Sequence, residues 1–145
     1  MTKERIFPEH IQLDVLNEMN KGCMVEHLGI EFVEIGADYI EARMPVDHRT
    51  RQPMGLLHGG ASVALAETMG SIAATLQIDM MKQAVVGLEI NANHLGSMSE
   101  GFVIARVTPI HIGRSTHVWN IEIRNEANEK KVAICRITIA VLDKK

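Results

Sequence analysis

The run Gln52-Pro53-Met54-Gly55-Leu56-Leu57-His58-Gly59-Gly60 leads directly into a stretch rich in Ala, Leu and Met that holds one acid, Glu67. The first turn of any helix presents backbone N–H groups with no partner inside the helix. Those groups and the helix dipole together stabilise a negative oxygen. Gly59 and Gly60 let a ligand approach the backbone closely, so a helix beginning there offers an oxyanion hole, a device for acyl transfer. Glu67, Gly70, Ser71 and Ala74 follow at helical spacing on one small, polar face. A glutamate carboxylate can attack a carbonyl carbon or activate a water molecule, and the residues alone do not choose between the two.

Glu67 lies about two turns beyond Gly59, which is roughly 12 Å along a helix that rises ~1.5 Å per residue. The donor and the carboxylate of one chain are therefore too far apart to act on one carbonyl. Two antiparallel copies of the helix, side by side, would bring one copy's Glu67 to the other's Gly59. The spacing thus predicts an active site at a dimer interface. A lone acid in a buried helix has a bland reading too, as a structural residue paired with an Arg or exposed at an edge, and both readings stand at this point.

Positioning such groups needs a rigid frame. Residues 10–19 carry Ile11, Leu13, Val15, Leu16 and Met19 in an amphipathic helical pattern. Residues 30–35 read as a strand and Gly36-Ala37-Asp38 as a turn. Residues 39–46 then alternate, with Ile40, Ala42, Met44 and Val46 on one face and Glu41 and Arg43 on the other. Residues 47–57 are charged, contain Pro53 and Gly55, and read as a loop. From about Gly59 to Ile78 the chain is apolar almost all round, the mark of a buried helix. Residues 84–95, 101–112, 116–124 and 132–142 are rich in Val, Ile and Thr and are separated by turn signals at Gly96-Ser97, Gly113 and Asn125-Glu126-Ala127-Asn128. Such short connections predict an antiparallel meander. The expected fold class is α+β, a single domain over residues 1–145 in which an antiparallel sheet wraps one long central helix. A single sheet leaves its other face open, which predicts an oligomer.

Composition narrows the function. At 145 residues, 46% hydrophobic and 23% charged, the chain suits one globular domain with its own core. A net charge of -3 supplies no basic field for a nucleic-acid backbone, so no nucleic-acid partner is expected. The residues 1–15 contain no signal-peptide apolar region, and the longest apolar stretch, 61–78, is interrupted by Glu67, Ser71, Thr75 and Gln77, so neither secretion nor a membrane span is expected. Cys23 and Cys135 form no CxxC pair and read as small apolar residues in a reducing compartment. No serine sits in a GxSxG elbow, His58 has no partner at ligand spacing, and no metal or cofactor is expected even though His111 and His117 fall near one turn. The nine Met residues read as core filler, with Met54 placed to line an acyl pocket.

The run from Gln52 through Gly60 to Ala61, followed by Leu65-Ala66-Glu67-Thr68, resembles the signature of PaaI-like hot-dog thioesterases. Within these it is most similar to the branch that includes 1,4-dihydroxy-2-naphthoyl-CoA hydrolase and the proofreading thioesterase of enterobactin synthesis. The resemblance continues through Met44-Pro45-Val46-Asp47, residues 85–94 and His117-Val118-Trp119, and covers nearly the whole chain. It implies a cytoplasmic acyl-CoA thioesterase acting on aromatic, or small to medium aliphatic, acyl groups, with coenzyme A as part of the substrate and no separate cofactor. It implies Glu67 as nucleophile or general base, Gly59 as the N–H donor to the thioester carbonyl with Gly60 beside it, and His58 and Gln52 as positioning groups. Ser71 would hold water or the acyl group. Glu67 and Ser71 would come from one protomer and Gln52, His58 and Gly59 from the other, in a dimer of dimers. The nucleotide end of coenzyme A is expected near His94, Arg114 and Ser115, although Gly96 stands where relatives often carry a basic residue.

Two other readings compete. The acyl donor can be an acyl carrier protein's phosphopantetheine arm, for which Arg51, Lys82 and Arg114 are the candidate docking residues. The chain can also be a hydratase or a non-catalytic acyl-CoA sensor on the same fold. Against a hydratase stands the acid in mid-helix, where an Asp or His at the helix start is expected. Against a sensor stands the lack of any segment free to bind DNA.

Overall fold

Alternating Val, Ile and Thr build six strands, and in the computed structural model, which describes residues 4–145, all six join one antiparallel sheet. The first three residues of the 1–15 run considered above lie outside the described part. In chain order the elements are α1 Leu13–Met19, α2 Met24–His27, β1 Glu31–Ile35, β2 Ile40–Pro45, α3 Gly59–Thr75, β3 Gln83–His94, β4 Phe102–Ile112, β5 Thr116–Asn125 and β6 Lys131–Asp143. The sheet order is β1-β2-β4-β5-β6-β3. This is the hot-dog arrangement, a curved sheet around the long helix α3.

The expected meander holds only for β4, β5 and β6. β3 pairs with β6 at the far edge, not with β4. Residues 95–101 carry the chain from that edge to the sheet's interior past the start of α3. The Leu57 N–H donates to the Met98 carbonyl at 2.7 Å, and the Leu95 N–H donates to the Val132 carbonyl at 2.8 Å. A short connection limits the distance between strand ends but does not make the strands neighbours once the sheet curls. The helical turn α2 was also not expected. It is bracketed by Gly22 and Gly29, whose φ of 73° and 71° lies in the left-handed region open to glycine.

The face of α3 turned to the sheet is Ser62, Leu65, Ala66, Met69, Gly70, Ala73 and Ala74, spaced three and four apart. It packs against Trp119, Ile121, Ile123, Ala133, Ile137 and Ile139, all fully buried. Burying one such large apolar side chain contributes roughly 1.5–3 kcal/mol. The small residues set the approach: a Cβ on Gly70 would collide with Ile137 Cγ2. The other flank of α3, with Val63, Ala64, Glu67, Thr68 and Ser71, stays partly exposed. The helix is therefore central but covered on one side only, where the sequence suggested enclosure all round.

Edge strand β3 bears Val86 and Leu88 at 47% and 64% exposure, and among the described residues no strand lies beside its outer side. No helix among the described residues is long and apolar enough to cross a membrane.

His117 is buried on the inner face of β5 with no hydrogen-bond partner for its Nδ1 among the described residues. Burial pushes its pKa down, and the charge of His111 adds to this against a contact with the Gly113 backbone. The unfolded imidazole therefore binds a proton more readily than the folded one. Its contribution to stability is complete above the ordinary value of 6.5 and is lost as pH falls below it. Scanning calorimetry from about pH 7 to pH 5 should show a falling Tm, and His117→Phe should flatten that slope. An unchanged acid slope in the variant would assign the sensitivity to other groups.

Candidate active site

The loop before α3 is tied down by short polar contacts. Thr50 Oγ1 donates to the Pro45 carbonyl at 2.7 Å and accepts from the Asp47 N–H at 3.1 Å. The Arg49 guanidinium, 2.6 Å from the Asp47 carboxylate, holds that carboxyl down at about 2, against a smaller opposing effect of burial. The His58 N–H donates to the Thr50 carbonyl at 2.8 Å. Gly55, with φ of 81°, allows the turn in which its N–H donates to the Gln52 carbonyl at 2.9 Å.

These contacts deliver Gln52 and Gly59 to one cleft, which His58 itself does not line. His58 caps α3, its Nδ1 accepting the Gly60 N–H at 2.8 Å. The two glycines thereby become unequal. The Gly60 N–H is engaged within the chain, whereas the Gly59 N–H has no acceptor among the described residues. Gln52 Oε1 accepts from the Met54 N–H, which leaves its amide hydrogens without a partner. His94, at the end of β3, closes over the helix start, with Nε2 only 2.9 Å from where a Cβ on Gly59 would stand. The cleft measures about 430 Å³ and is lined by Gln52, Leu57, Gly59, Ser62 and His94 among others.

Glu67 belongs to a second cluster. It is half-buried, and it makes no hydrogen bond or ion pair among the described residues. On one side its carboxylate rests against Gly87 of β3. On the other lies an apolar groove of about 180 Å³ between α2 and α3, lined by Met24, Val25, Leu28, Ile30, Ala64 and Thr68. Ser71 follows one turn later on the same open flank, while Gly70 and Ala74, grouped with it by helical spacing, turn to the sheet.

The paired buried acid of this fold is a different residue. Glu41 is 5% exposed and bonds Arg106 at 2.7 Å and Arg124 at 2.8 Å. Burial works against its ionisation, but the guanidiniums of Arg124 and Arg106 outweigh it and hold the carboxyl below its usual range. Glu67 has no such partner.

Other expected residues are placed differently. Met54 is 82% exposed at the loop tip and lines neither cavity. His94 shares a row across the sheet with Ala133 and Ile123, whereas Thr116, just after Arg114 and Ser115, shares one with Ala140 and Val86. Eight residues of β3 separate those rows, about 25 Å at ~3.3 Å each. A single surface patch of His94, Arg114 and Ser115 therefore does not exist within one chain. Of the three basic docking candidates, Arg51 donates to the Ser99 carbonyl at 2.8 Å and Lys82 lies 3.4 Å from Asp79, leaving Arg114 without a partner among the described residues. Burial pushes the Cys135 thiol up to about 11, which removes it as a thiolate nucleophile. Among the described residues no three His, Cys, Asp or Glu side chains gather as a metal site.

Sequence reasoning missed the α2 wall of the groove and the role of Gly87. A glycine inside an otherwise β-rich run signals a bulge or a close approach, and that signal was present at position 87.

Comparison with known proteins shows the family. Residues 54–132 match the thioesterase superfamily. The chain is 51% identical over 140 residues to the 1,4-dihydroxy-2-naphthoyl-CoA hydrolase of Escherichia coli strain K12, covering 94% of this chain and 99% of that one. It is 47% identical over 137 residues to the proofreading thioesterase EntH of Cronobacter turicensis, covering 94% and 98%. The crystal structure of a thioesterase from Haemophilus influenzae matches with a TM-score of 0.90 and 49% identity, over 95% of each chain.

The cap on α3 carries its own prediction. His58→Ala should lower stability to urea by about 1 kcal/mol, the usual cost of a lost N-cap, while His58→Asn should retain most of it. Equal losses in the two variants would show that the Nδ1 contact contributes little.

Proposed function

The chain belongs to the thioesterase superfamily, and from that premise we propose that it hydrolyses acyl-CoA thioesters with Glu67 as its catalytic carboxylate. The observation that carries the residue assignment is the state of Glu67, a half-buried carboxylate with no cation or donor among the described residues, set beside an apolar groove. A carboxylate kept there without a partner is a structural cost and a chemical asset.

The groove supports an apolar acyl group. Its volume of about 180 Å³ compares with the roughly 150 Å³ of an apolar cavity that accepts benzene, so an aromatic ring or a short to medium aliphatic chain suits it. The similarity to a hydrolase of an aromatic acyl-CoA points the same way.

A second copy completes the site. The cleft at Gly59 and the carboxylate of Glu67 lie about 12 Å apart along one helix. A two-fold axis that brings Glu67 to the other copy's Gly59 also aligns Gly87, against which Glu67 rests, with the other copy's His94, which covers Gly59. On α3 the axis passes near Val63, and on β3 between Ile90 and Asn91. The open edges of β3 then lie antiparallel, and Val86 and Leu88 lose their exposure. The same operation brings Arg114 and Ser115 of one copy toward His94 of the other, so the patch for the coenzyme A nucleotide is composite.

In this site the Gly59 N–H holds the thioester oxygen, and Gln52 and His58 align the carbonyl. Glu67 either takes a proton from water, whose hydroxide adds to the carbonyl carbon, or adds directly and forms a mixed anhydride that water then opens. In both routes negative charge develops on the carbonyl oxygen at Gly59, the C–S bond breaks, and coenzyme A leaves as the thiolate. Ser71 orients the water or the acyl group.

Free-thiol release from aryl- and alkyl-CoA esters tests the reading. Glu67→Ala should reduce turnover by about 10³-fold with assembly intact, and Ser71→Ala by less. Turnover near wild type in a folded Glu67→Ala protein would remove the assignment. No release from any CoA ester by the folded wild type would shift the donor to a carrier protein. Co-refolding Glu67→Ala with Gln52→Ala should restore about a quarter of wild-type turnover, since half the pairs then hold one intact site of two. Absence of recovery would place the whole site within one chain.

A further inference from the structure

We propose that Gly87 is a positioning residue for the Glu67 carboxylate, and that turnover requires the space its missing side chain leaves. The proposal rests on Glu67 being the catalytic carboxylate, as argued above.

β3 pairs with β6 along its length, with one slip of register between Gly87 and Glu89. Glycine weakens a strand interior, because it loses the most backbone freedom on folding and has no side chain to pack. Its presence at this slip calls for a reason. Conformation is not the reason, because Gly87 is absent from the glycines with positive φ, which are Gly22, Gly29, Gly55 and Gly101. Alanine can therefore adopt the same backbone. Packing against the core is not the reason either. A Cβ at position 87 would stand 2.7 Å from Glu67 Oε1 and 3.7 Å from its Cδ, and beyond its own chain neighbours it would meet nothing else within 4 Å among the described residues. Gly70 differs in this respect, since its missing Cβ makes room for Ile137 of the core. Among the described residues of one chain, the space at Gly87 is occupied by the tip of the carboxylate alone.

Glu67 has no hydrogen bond among the described residues to fix its rotamer. The backbone of β3 at Gly87 therefore acts as the wall that stops its swing on one side, with the α2–α3 groove on the other. A methyl group at position 87 forces the carboxylate oxygen back by roughly 0.7 Å to reach ordinary contact at 3.4 Å. The atom that must move ends a flexible side chain, so the sheet stays as it is and the displacement falls on the reacting group. Misplacement of a catalytic group on this scale is costly in rate because attack requires aligned near-contact geometry.

The test compares Gly87→Ala in the wild-type and Glu67→Ala backgrounds, with benzoyl-CoA as substrate and calorimetry for Tm. Gly87→Ala should lower kcat at least about tenfold with KM within about twofold and Tm undiminished. In the Glu67→Ala background it should change neither the residual rate nor Tm. A kcat near wild type beside an inactive Glu67→Ala would overturn the proposal alone. An active Glu67→Ala would overturn the catalytic assignment and this proposal with it. If Gly87→Ala fails to fold, the double variant decides: folding of the double variant supports a clash confined to Glu67, and its failure overturns the proposal, because the glycine would then serve the sheet.

Discussion

The close approach of the sheet to α3 is the contact on which the other features depend. Ala66, Ala73 and Ala74 are fully buried, and Gly70 admits Ile137 where any side chain would collide. Small residues on that face let a twisted sheet curl around a single helix and still reach interior packing density. The large residues needed to fill the core come from the sheet side instead, above all from Trp119 and the Ile residues of β5 and β6. With so few aromatics available, Phe7 lies over Trp119 at 6.0 Å between ring centroids and closes that end of the core. The tight contact on one flank of α3 has a consequence for the other. The helix is held so firmly by its inner face that its outer flank needs no cover from its own chain. Glu67 and Ser71 remain accessible there without loosening the core.

Much of this arrangement was legible in the residues, for physical reasons that differ by element. The α3 boundary at Gly59 was readable because a Gly-Gly pair after a turn-rich loop marks a helix start, and the acid in mid-helix stood out against an apolar background. The strands were readable because period-two alternation survives wherever one face is buried. Their neighbours were not. Alternation says which face a residue takes and nothing about which strand lies beside it, so β3 was joined to β4 in sequence reasoning but joins β6 in the fold. The small polar face drawn through Glu67, Gly70, Ser71 and Ala74 mixed two faces for a related reason. Helical spacing groups residues within about a quarter turn, but the sheet cuts through that group and takes Gly70 and Ala74. The inequality of Gly59 and Gly60 was out of reach altogether, since it depends on the rotamer of His58.

Two acids in one small domain illustrate how environment separates roles. Glu41 sits on the outer face of β2, where the register places Arg106 directly opposite on β4 and Arg124 one strand further. Its ionisation is held by those two cations, and its carboxylate is committed to them. Removing both arginines would leave the Glu41 carboxylate buried and unpaired, so the cluster stiffens this part of the sheet. Arg106 also stacks on Tyr39 at 4.0 Å, and Arg43 stacks on Phe102 at 3.7 Å while bonding Glu126. The charged groups of this face are thus paired with one another, although the buried Arg43 Nε has no hydrogen-bond partner among the described residues. Glu67 has none of these attachments, and the groove beside it is apolar. What distinguishes the candidate catalytic acid is therefore not its burial, which is less complete than that of Glu41, but the absence of any hydrogen-bond or ion-pair partner among the described residues.

That absence links chemistry to assembly in the proposed site. A carboxylate with no donor among the described residues is oriented by walls: Gly87 on one side, the α2 turn on another and, in the proposed pair, a second copy on the third. Gly87 lies on the edge strand that would pair with that second copy. Any shift of β3 on pairing is transmitted to the wall behind Glu67, because the strand is the wall. The donor side obeys the same logic, since His94 at the other end of β3 covers Gly59. One strand thus touches both halves of the chemistry at points far apart along its length, and a two-fold axis between Ile90 and Asn91 superposes those points. On the proposed arrangement an isolated chain would hold both halves and neither complete site, so the pairing of two edges would build the catalytic geometry and remove the exposed edge in a single step.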